Sequence, residues 1–555
     1  MNGLMLAAVL LPLLSCGPAG RNARWPMALL VLAPVPALVL ALLFRQGELA
    51  LPGLLLGGVW MLDEIRGTFL VLTALLWLFA GVYAAGYMKS AGLRGFRVFW
   101  LLTLTGNLGL ILAADIAGFY TFFALMTFSA YGLIVHARTR AAYRAGRIYL
   151  IMAVVGEMLL LAGFLLAARE AGSLMLADLP SALAGAGHSA LLIALLGLGF
   201  GVKAGLPLLH FWLPLAHPVA PTPASAVLSG AMIKAGLLGW LLVLPFGAAP
   251  EWSNAMILVG VVAALGAGVI GVCQHDPKTV LAYSSISQMG LMTLLVGAAL
   301  ADTAPALALI PVLALYALHH GLAKGALFLA VGLHWPRNRV RRALLWLPVA
   351  LPGLALAGLP WSSGAAAKLA AKQALGQGPE AGLVSALPLL MSAGAVATML
   401  LVARFVVCLA RHRDNGSNPP GVVSGWAVMA GVSILLFWWL PWPEGIDPER
   451  AKLLLPDGAK IRSLSWPLLA GLGLAFLAVL APVRVPAIPA GDAVVIPECL
   501  VRWVGRWSRP GSIRLPRWVR PDVRKMSEQG EDWIRAHNGV VFLALLVAAL
   551  VLLLR

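Results

Sequence analysis

The chain has 555 residues, of which 61% are hydrophobic and only 11% are charged, and its formal net charge is +18. A soluble protein carries about 25% charged residues. Apolar runs of about 20 residues, the length that crosses a bilayer as a helix, recur from end to end. The composition therefore excludes a soluble globular protein and predicts an all-α polytopic membrane protein.

The hydropathy pattern predicts about 16 transmembrane helices. The apolar start MNGLMLAAVLLPLLSCG lacks a basic segment and runs at once into a second span, so we interpret it as the first helix rather than as a signal peptide. The predicted spans cover residues 3–18, 25–44, 68–88, 96–114, 116–135, 147–168, 189–212, 222–246, 252–273, 279–300, 304–333, 343–377, 383–409, 421–441, 466–483 and 539–554.

Basic residues concentrate in the odd-numbered loops between these spans. Because cytoplasmic loops are enriched in lysine and arginine, these loops are predicted to be cytoplasmic and both termini to face outward. The predicted location is the cell (inner) membrane, and the positive charge is a topology signal rather than a sign of nucleic-acid binding. Six basic residues fall inside spans instead: Lys203, Lys234, Lys324, Lys368, Lys372 and Arg404.

The four cysteines, at positions 16, 273, 408 and 499, show no paired spacing. The sequence therefore suggests neither a disulfide framework nor a metal site. It also contains no glycine-rich phosphate loop, so we predict no cofactor in this chain. Whether the protein works within an enzyme is open at this point, because any redox chemistry would belong to other chains.

Residues 199–239 combine an apolar composition with charge and with repeated proline. They read GFGVKAGLPLLHFWLPLAHPVAPTPASAVLSGAMIKAG followed by LLG, and they carry Lys203, His210, His217 and Lys234. A charge at the bilayer centre costs at least ~2.5 kcal/mol, so such side chains usually face a protein interior or a water-filled path. Prolines free backbone groups, which a membrane tolerates only where protein or water satisfies them. The stretch therefore predicts a polar path inside a helical bundle.

This stretch resembles the antiporter-like, proton-translocating membrane subunits of respiratory complex I, of Mrp-type cation/proton antiporters, and of hydrogenases of the hydrogenase-4 and formate hydrogenlyase type. Lys203 matches the family's lysine before the broken seventh helix, and Lys234 matches the lysine of the following helix. The resemblance implies that both store and relay protons, with His210 and His217 in support. Burial destabilises an ammonium group and imidazole passes protons near neutral pH, which suits these roles. For the histidines, a structural hydrogen bond to the broken backbone is the alternative.

Two later stretches resemble the tenth and eleventh helices of the family. The serines of the first, HDPKTVLAYSSISQMG, either hold water or bond to their own helix. In the second, HHGLAKGALFLAVG, His320 and Lys324 match the family's residues and stand one turn apart on one face. His319 points to a different face and is the weaker candidate.

The stretch GLPWSSGAAAKLAAKQAL (358–375) resembles the broken twelfth helix, with Lys368 at the position of the family's exit-side lysine or glutamate. Lys372 follows one turn later on the same face. Since like charges at this spacing repel, either one of the two is neutral or Lys372 reaches the membrane interface. Lys368 is the favoured functional residue. Two interrupted helices in corresponding halves are typical of inverted-repeat transporters.

The resemblance implies two inverted five-helix repeats with broken helices, at residues 96–246 and 252–409. N-terminal helices occupy residues 1–95, and C-terminal helices occupy residues 421–555. The basic, tryptophan-rich segment 484–538 predicts a short interfacial helix on the cytoplasmic side before the last span. A plain basic tether is the alternative for that segment.

One position departs from the family pattern. The family's fifth helix normally carries a glutamate that pairs with the seventh-helix lysine, but the stretch FYTFFALMTFSAY places Ala124 there. Glu157 is the only acidic residue deep within a predicted span, and a buried carboxylate is far less costly when it faces a cation. We therefore expect Glu157 to be the relocated partner of Lys203. Without such a partner, the subunit would be a poorly conducting scaffold.

The resemblance and the buried charges together predict a proton-translocating, or cation/proton-exchanging, membrane subunit of a multisubunit complex. That complex would be of the NADH:quinone-oxidoreductase, hydrogenase or Mrp type, and protons would move through the Lys/His/Glu chain. The expected partners are other membrane subunits, lipid, protons and, in exchange, Na⁺, and no nucleic acid. Alternatives are a stand-alone monovalent cation/proton antiporter, the membrane subunit of an inorganic-carbon uptake complex, and a non-conducting structural subunit.

Overall fold

The structure is a computed structural model, and it describes residues 1–16, 24–88, 93–336, 338–376, 382–411, 416–480 and 488–491. The predicted span 539–554 lies outside the described residues. So does the basic segment 484–538, except for residues 488–491. The predicted interfacial helix therefore stays a prediction.

The N-terminal part holds four helices and a short hairpin. Its elements are α1 (Asn2–Leu14), α2 (Arg24–Leu32), α3 (Val35–Leu43), β1 (Gly47–Leu51), β2 (Gly58–Leu62) and α4 (Glu64–Tyr87).

The middle of the polypeptide contains two successive groups of helices, which short non-helical or π-helical segments interrupt. The first comprises α5 (Leu93–Leu112), α6 (Ile116–Ile134), a 3-10 turn (Val135–Ala137), α7 (Arg140–Ala171), a 3-10 turn (Leu176–Asp178), α8 (Leu179–Gly185), α9 (Ser189–Ala204), α10 (Trp212–Val219), α11 (Thr222–Val227), a π-helical segment (Leu228–Met232) and α12 (Lys234–Val243). The second comprises α13 (Pro250–Val261), a π-helical segment (Val262–Gly266), α14 (Ala267–Val272), α15 (Pro277–Ala301), α16 (Thr303–Val331), α17 (Arg339–Ala357), α18 (Ser363–Leu375), α19 (Gly382–Ser385) and α20 (Leu387–Arg411).

The last described helices are more peripheral. They are α21 (Pro420–Trp439), a 3-10 turn (Asp447–Glu449), α22 (Arg450–Leu454) and α23 (Gly458–Leu480).

The multi-pass helical fold is confirmed. Within the described residues, 11 helices are long and apolar enough to cross a membrane, and four shorter apolar helices accompany them. Every predicted span before residue 484 overlaps one of these helices. Three predicted spans are nevertheless interrupted: 25–44 divides into α2 and α3, 189–212 ends as a helix at Ala204, and 343–377 divides into α17 and α18. Proline or glycine stands at each interruption. Hydropathy alone does not detect these residues as helix breaks, so it predicts one continuous span.

The antiparallel hairpin of β1 and β2 was not predicted. Its register runs from Gly47 paired with Leu62 to Leu51 paired with Gly58. Both strands lie between the predicted spans 25–44 and 68–88, where the sequence analysis assigned no element. The turn chemistry was the available signal, since Gly57 takes a φ of +93° that favours glycine.

Aspartates cap helices rather than entering the bilayer. Each accepts a hydrogen bond from a first-turn amide, an arrangement worth ~1 kcal/mol. The capped helices are α4 (by Asp63), α6 (by Asp115), α15 (by Asp276) and α16 (by Asp302). Among the described residues, Asp115 and Glu157 are the buried carboxylates, and only Glu157 lies in mid-helix.

The centre of the bundle is formed by helices that expose little of their surface. The most apolar window of α15 is 94% buried, as is that of the segment Thr222–Val243, and that of α16 is 78% buried. By contrast, α7 is 39% buried and α23 is 22% buried over the same kind of window. The central helices carry most of the buried lysines and histidines, so protein rather than lipid surrounds those side chains.

Candidate functional site

Two helix breaks share one local geometry. Each reads Gly-Leu-Pro-X, at residues 205–208 after α9 and at residues 358–361 after α17. In both, the glycine and the fourth residue have positive φ: Gly205 +78°, Leu208 +66°, Gly358 +104° and Trp361 +63°. In both, the amides of the glycine and the following leucine donate to one helical carbonyl, that of Gly201 or that of Leu354. The prediction of broken helices at these two places is confirmed.

Lys203 and Glu157 face the same small cavity. Lys203 lies in the last turn of α9, Glu157 lies in the middle of α7, and both side chains are buried. The cavity has a volume of about 10 Å³, and Thr127 and Tyr149 also line it. That volume is close to the minimum that one water molecule needs. The charges of Glu157 and Lys203 act on each other, and the Thr127 hydroxyl also acts on the Glu157 carboxylate, although it does not lie in good hydrogen-bond geometry with either oxygen.

Three aromatic rings surround the Lys203 ammonium. Its Nζ lies 5.4 Å from the ring centre of Phe123, 5.6 Å from that of Tyr149 and 6.0 Å from that of Trp212. Two of these rings are fixed in turn, because Tyr149 donates to the carbonyl of Thr127 and Trp212 donates to the carbonyl of Val202. An ammonium group is attracted to aromatic faces. The rings therefore hold the lysine head at the edge of the cavity.

Lys234 and Lys324 are joined by a path of hydrogen bonds. Lys234 Nζ donates to the carbonyl of Ser229, which lies in the π-helical segment before α12. The hydroxyls of Ser229 and Ser285 are 2.7 Å apart, and Ser285 Oγ donates to the carbonyl of Leu281. Lys324 Nζ donates to that same carbonyl at 3.0 Å. The path crosses from α12 through α15 to α16, all in the buried centre.

Lys278, which lies outside the predicted spans, binds the end of α10, the short helix that follows the first break. Lys278 is buried in the first turn of α15, and its Nζ donates at 2.6 Å to the carbonyl of Ala220, which ends α10. A cation at a helix C-terminus is stabilised by the helix dipole. His217 packs on the ring of Phe328, and the charges of Lys278 and Lys324 both act on it. His210 lies within the break and faces the ring of Tyr283.

Lys368 spans the second break. Its Nζ donates at 2.8 Å to the carbonyl of Leu356 and at 2.8 Å to that of Ala357, the last residues of α17. A Cβ atom at Gly358 would lie only 3.2 Å from Cδ of this lysine, so the close approach requires glycine. Lys372 is half-buried and donates to Ser392 Oγ of α20. Of the two lysines, Lys368 is therefore the one bound to the break.

Two neighbouring histidines of α16 approach different lysines. His320 is buried, and the charges of Lys234 and Lys324 act on it. His319 is also buried, but its Nδ1 contacts Ser363 Oγ of α18, and the charges of Lys368 and Lys234 act on it. The one-turn spacing to Lys324 favours His320 over His319 in the sequence, but in the structure both histidines have polar neighbours.

Arg404, three cysteines and Ala124 complete the predicted features that lie among the described residues. Arg404 donates to the carbonyl of Gln274. In the part of the chain that the structure describes, no three His, Cys, Asp or Glu side chains come together as a metal site, and Cys16, Cys273 and Cys408 are free. Ala124 lies on α6, which carries no carboxylate between Ile116 and Ile134.

The profile of a family described as NADH:quinone oxidoreductase/Mrp antiporter, TM matches residues 113–371. These residues contain both breaks and the buried lysines Lys203, Lys234, Lys278, Lys324 and Lys368. The matched part is 259 of the 555 residues, so the similarity to that family covers less than half of the chain. Among curated relatives, hydrogenase-4 component B of Escherichia coli (strain K12) is 35% identical over 203 residues. These residues are 35% of this chain and 30% of the relative, so the match spans less than a third of that protein.

Two solved structures share the fold. The membrane-bound sulfane sulfur reductase, an archaeal respiratory membrane complex, contains a chain that superposes with a TM-score of 0.67 at 20% identity, covering 99% of this chain and 99% of that one. The Mrp complex from Dietzia sp. DQ12-45-1b contains a chain with a TM-score of 0.68 at 21% identity, covering 92% of this chain and 60% of that one. At these identities the likeness concerns the fold.

Proposed function

We propose that this chain is a proton-translocating membrane subunit of a multisubunit redox-driven or Mrp-type complex. The observation that carries the proposal is the pairing of Glu157 and Lys203 across a cavity of about 10 Å³, within a bundle whose centre holds further buried lysines and histidines. A buried acid and base that share a water-sized space can exchange a proton while each compensates the charge of the other.

Glu157 takes the part that the family gives to a fifth-helix glutamate. When Glu157 is ionised, the Lys203 ammonium is stabilised at the cavity. When Glu157 takes up a proton, that stabilisation is lost and Lys203 is free to release its own proton. One water in the cavity would connect the two heads, since both residues line the same space of about 10 Å³.

Beyond Lys203, protons would pass along Lys234, Lys324 and Lys368. The nearness of the two lysines supports the first of these steps, since the charge of Lys324 acts on Lys234 and both heads bind carbonyls beside the Ser229–Ser285 hydroxyl pair. Adding a proton to one lysine raises the cost of a proton on the next, so the charge state of one site is felt along the row. The supporting groups are His210, His217, His320 and Lys372.

The finer architecture is part of the proposal. We place two inverted five-helix repeats at residues 96–246 and 252–409, between N-terminal helices (1–95) and C-terminal helices (421–555), with about 16 spans in all. The matching geometry of the breaks at 205–208 and 358–361 supports this assignment.

The proposed partners are other membrane subunits, since the solved relatives are chains of an Mrp complex and of a respiratory membrane complex. Protons are the proposed cargo, with Na⁺ exchange as the variant, and lipid surrounds the bundle. The proposed location is the inner membrane with both termini outside.

The test is proton flux in vesicles that contain the native complex, read with a pH-sensitive dye. We compare Glu157→Gln and Lys203→Ala with Glu170→Gln, which removes an exposed carboxylate from the end of the same helix. The first two variants are expected to assemble; Glu157→Gln should lose at least about tenfold in flux and Lys203→Ala at least about 100-fold, whereas the control keeps its flux. Full flux in both site variants would mean that the polar row is not used and that the subunit is structural.

A further inference from the structure

A second cavity lies between the hairpin turn, the start of α6 and the second half of α7. Its volume is about 390 Å³. Leu55 and Leu56 of the turn form one wall, and residues between 116 and 121 of α6 and between 161 and 168 of α7 form the others. The space that Glu157 and Lys203 share is only about 10 Å³. The second cavity therefore has room for part of an organic molecule rather than for one water.

The walls of this cavity are almost wholly apolar. Nine of its eleven lining residues have hydrocarbon side chains, and the other two are Tyr120 and Thr121. The Tyr120 hydroxyl donates to the carbonyl of Glu157 at 3.3 Å and is thus engaged elsewhere. A buried water needs about two to four polar partners, which these walls do not offer. An empty space, in turn, deprives the wall atoms of packing contacts. The cavity is therefore suited to a hydrocarbon ligand.

The mouth of the cavity opens on the side of the bundle. Leu56 and Leu165 line the cavity, and each is 64% exposed. Leu165 belongs to α7, which is long and apolar enough to cross the membrane. An exposed leucine in the second half of such a helix borders the hydrocarbon of the bilayer. A ligand can therefore enter laterally from the membrane.

The depth of the cavity matches one leaflet. Its lining on α7 begins at Leu161, which precedes Arg169 by eight residues, or about 12 Å of helix. The hairpin, the start of α6 and the end of α7 meet at this end of the bundle, where Asp115 bridges to Met175 and accepts a hydrogen bond from the Val59 amide. One leaflet contributes about 15 Å of hydrocarbon, whereas a spanning helix needs a groove of about 30 Å. The length therefore favours a lipid chain over a further helix.

Arg169 places a positive charge at the mouth. It is exposed and lies one turn beyond Leu165 on α7. Because helical side chains lean back over the preceding turn, Arg169 extends over Leu165 at the edge of the cavity. A guanidinium group binds two phosphate oxygens at once. Glu170 follows about 100° further round the helix, so its carboxylate is directed to another side. The mouth therefore favours an anionic headgroup.

We propose that this cavity binds an acyl chain of an anionic phospholipid, whose phosphate is held by Arg169. The chain lies between α6 and α7 and beneath the hairpin turn, and it packs against Leu161, Phe164 and Tyr120. The inference goes beyond the proposed function, because the site needs no proton transfer. Since Tyr120 is bound to the carbonyl of Glu157, the lipid borders the wall of the smaller cavity.

The test is photo-labelling of the native complex in vesicles. The probe is phosphatidylglycerol with a diazirine in one acyl chain, and phosphatidylcholine with the same chain is the comparison. Labelled peptides are identified by mass spectrometry. We expect the phosphatidylglycerol to label residues 116–121 and 161–168, about threefold more strongly than the phosphatidylcholine does, since an exposed ion pair adds a modest energy.

Matched variants separate the chain from the headgroup. Ala168→Trp fills the cavity and should reduce the labelling by both probes at least about fivefold, because the buried methylenes of the chain are displaced. Ala162→Trp places the same side chain on an exposed position of α7 outside the cavity and should change nothing. Arg169→Gln should remove the preference for phosphatidylglycerol, whereas Arg140→Gln, at the opposite end of α7, should keep it.

Three results would overturn the proposal. Equal labelling in wild type and Ala168→Trp would mean that the probe reports only lipid along the outside of α7. Labelling without a preference for phosphatidylglycerol, or a preference that survives Arg169→Gln, would overturn the role of the arginine. No labelling at all would mean that another occupant, such as the span predicted at 539–554, fills the cavity.

A second variant covers the case in which Ala168→Trp does not assemble. Ala117→Phe fills the cavity from α6, and its labelling decides in the same way. None of these readouts measures proton flux, so the failure of the proposed function and the failure of the lipid site are distinguishable.

Discussion

The two breaks have the same backbone and hold their lysines in different ways. Lys203 precedes the first break and faces Glu157 across a cavity. Lys368 follows the second break and is bound by two carbonyls at the end of α17, without a buried carboxylate nearby among the described residues. Under the proposed function, protonation of Glu157 would control the first half, whereas backbone carbonyls would hold the lysine of the second. The same local backbone geometry thus presents its lysine to a carboxylate in one half and to carbonyls in the other.

The largest effect is expected when Glu157 loses its partner Lys203. Lys203→Ala leaves Glu157 buried without its cation, and we expect proton flux to fall at least about 100-fold, or ~2.7 kcal/mol in the barrier. If the two residues act as one unit, the double variant Glu157→Gln/Lys203→Ala loses no more than the worse single variant. Flux measured in vesicles over this four-variant cycle is the check, and additive losses would mean that the residues act separately.

A second prediction compares the break glycines directly. Both have positive φ, but an added Cβ at Gly358 would meet Lys368 at 3.2 Å, whereas at Gly205 the nearest atoms are 3.8 Å away. We expect Gly358→Ala to cost about 1–3 kcal/mol, and Gly205→Ala to lie at the lower end of that range. The thermal midpoint of the solubilised complex measures the order. Equal midpoints would show that Lys368 does not press on the second break.

A smaller effect concerns the link between the halves. Ser285→Ala removes the hydroxyl that connects Ser229 with the Leu281 carbonyl. The loss of one such bond is worth about 1 kcal/mol, so flux should fall about fivefold with assembly intact. Ser284→Ala on the same helix is the control. Unchanged flux in Ser285→Ala would mean that protons between Lys234 and Lys324 travel by another route.

Much of the site follows from the sequence because charge in an apolar run is costly and therefore conspicuous. Lys203, Lys234, Lys324 and Lys368 were found in this way, and all four are buried. Their roles stay predictions until flux is measured. Glu157 was found by the same reasoning, as the one acid in mid-span.

Lys278, His319 and the hairpin were missed or ranked low in the sequence, each for a physical reason. Lys278 was assigned to a loop because the predicted span began at residue 279, whereas the Asp276 cap starts α15 at Pro277. His319 was ranked low because one helix face was taken to be polar. Since α16 is surrounded by protein, adjacent residues on different faces both meet lysines. The hairpin was missed because no element was assigned to the loop between the predicted spans 25–44 and 68–88.

The most direct test of the relocated acid is to move it back. Ala124 lies one turn before Thr127, a cavity-lining residue of α6, so a carboxylate there would be introduced on α6 close to the cavity that Lys203 lines. We measure proton flux for Glu157→Gln alone and for Glu157→Gln/Ala124→Glu in vesicles with equal amounts of assembled complex. The account predicts that the second substitution restores most of the lost flux. Flux that stays as low as in Glu157→Gln would contradict it, because an acid facing Lys203 would then not be what Glu157 supplies.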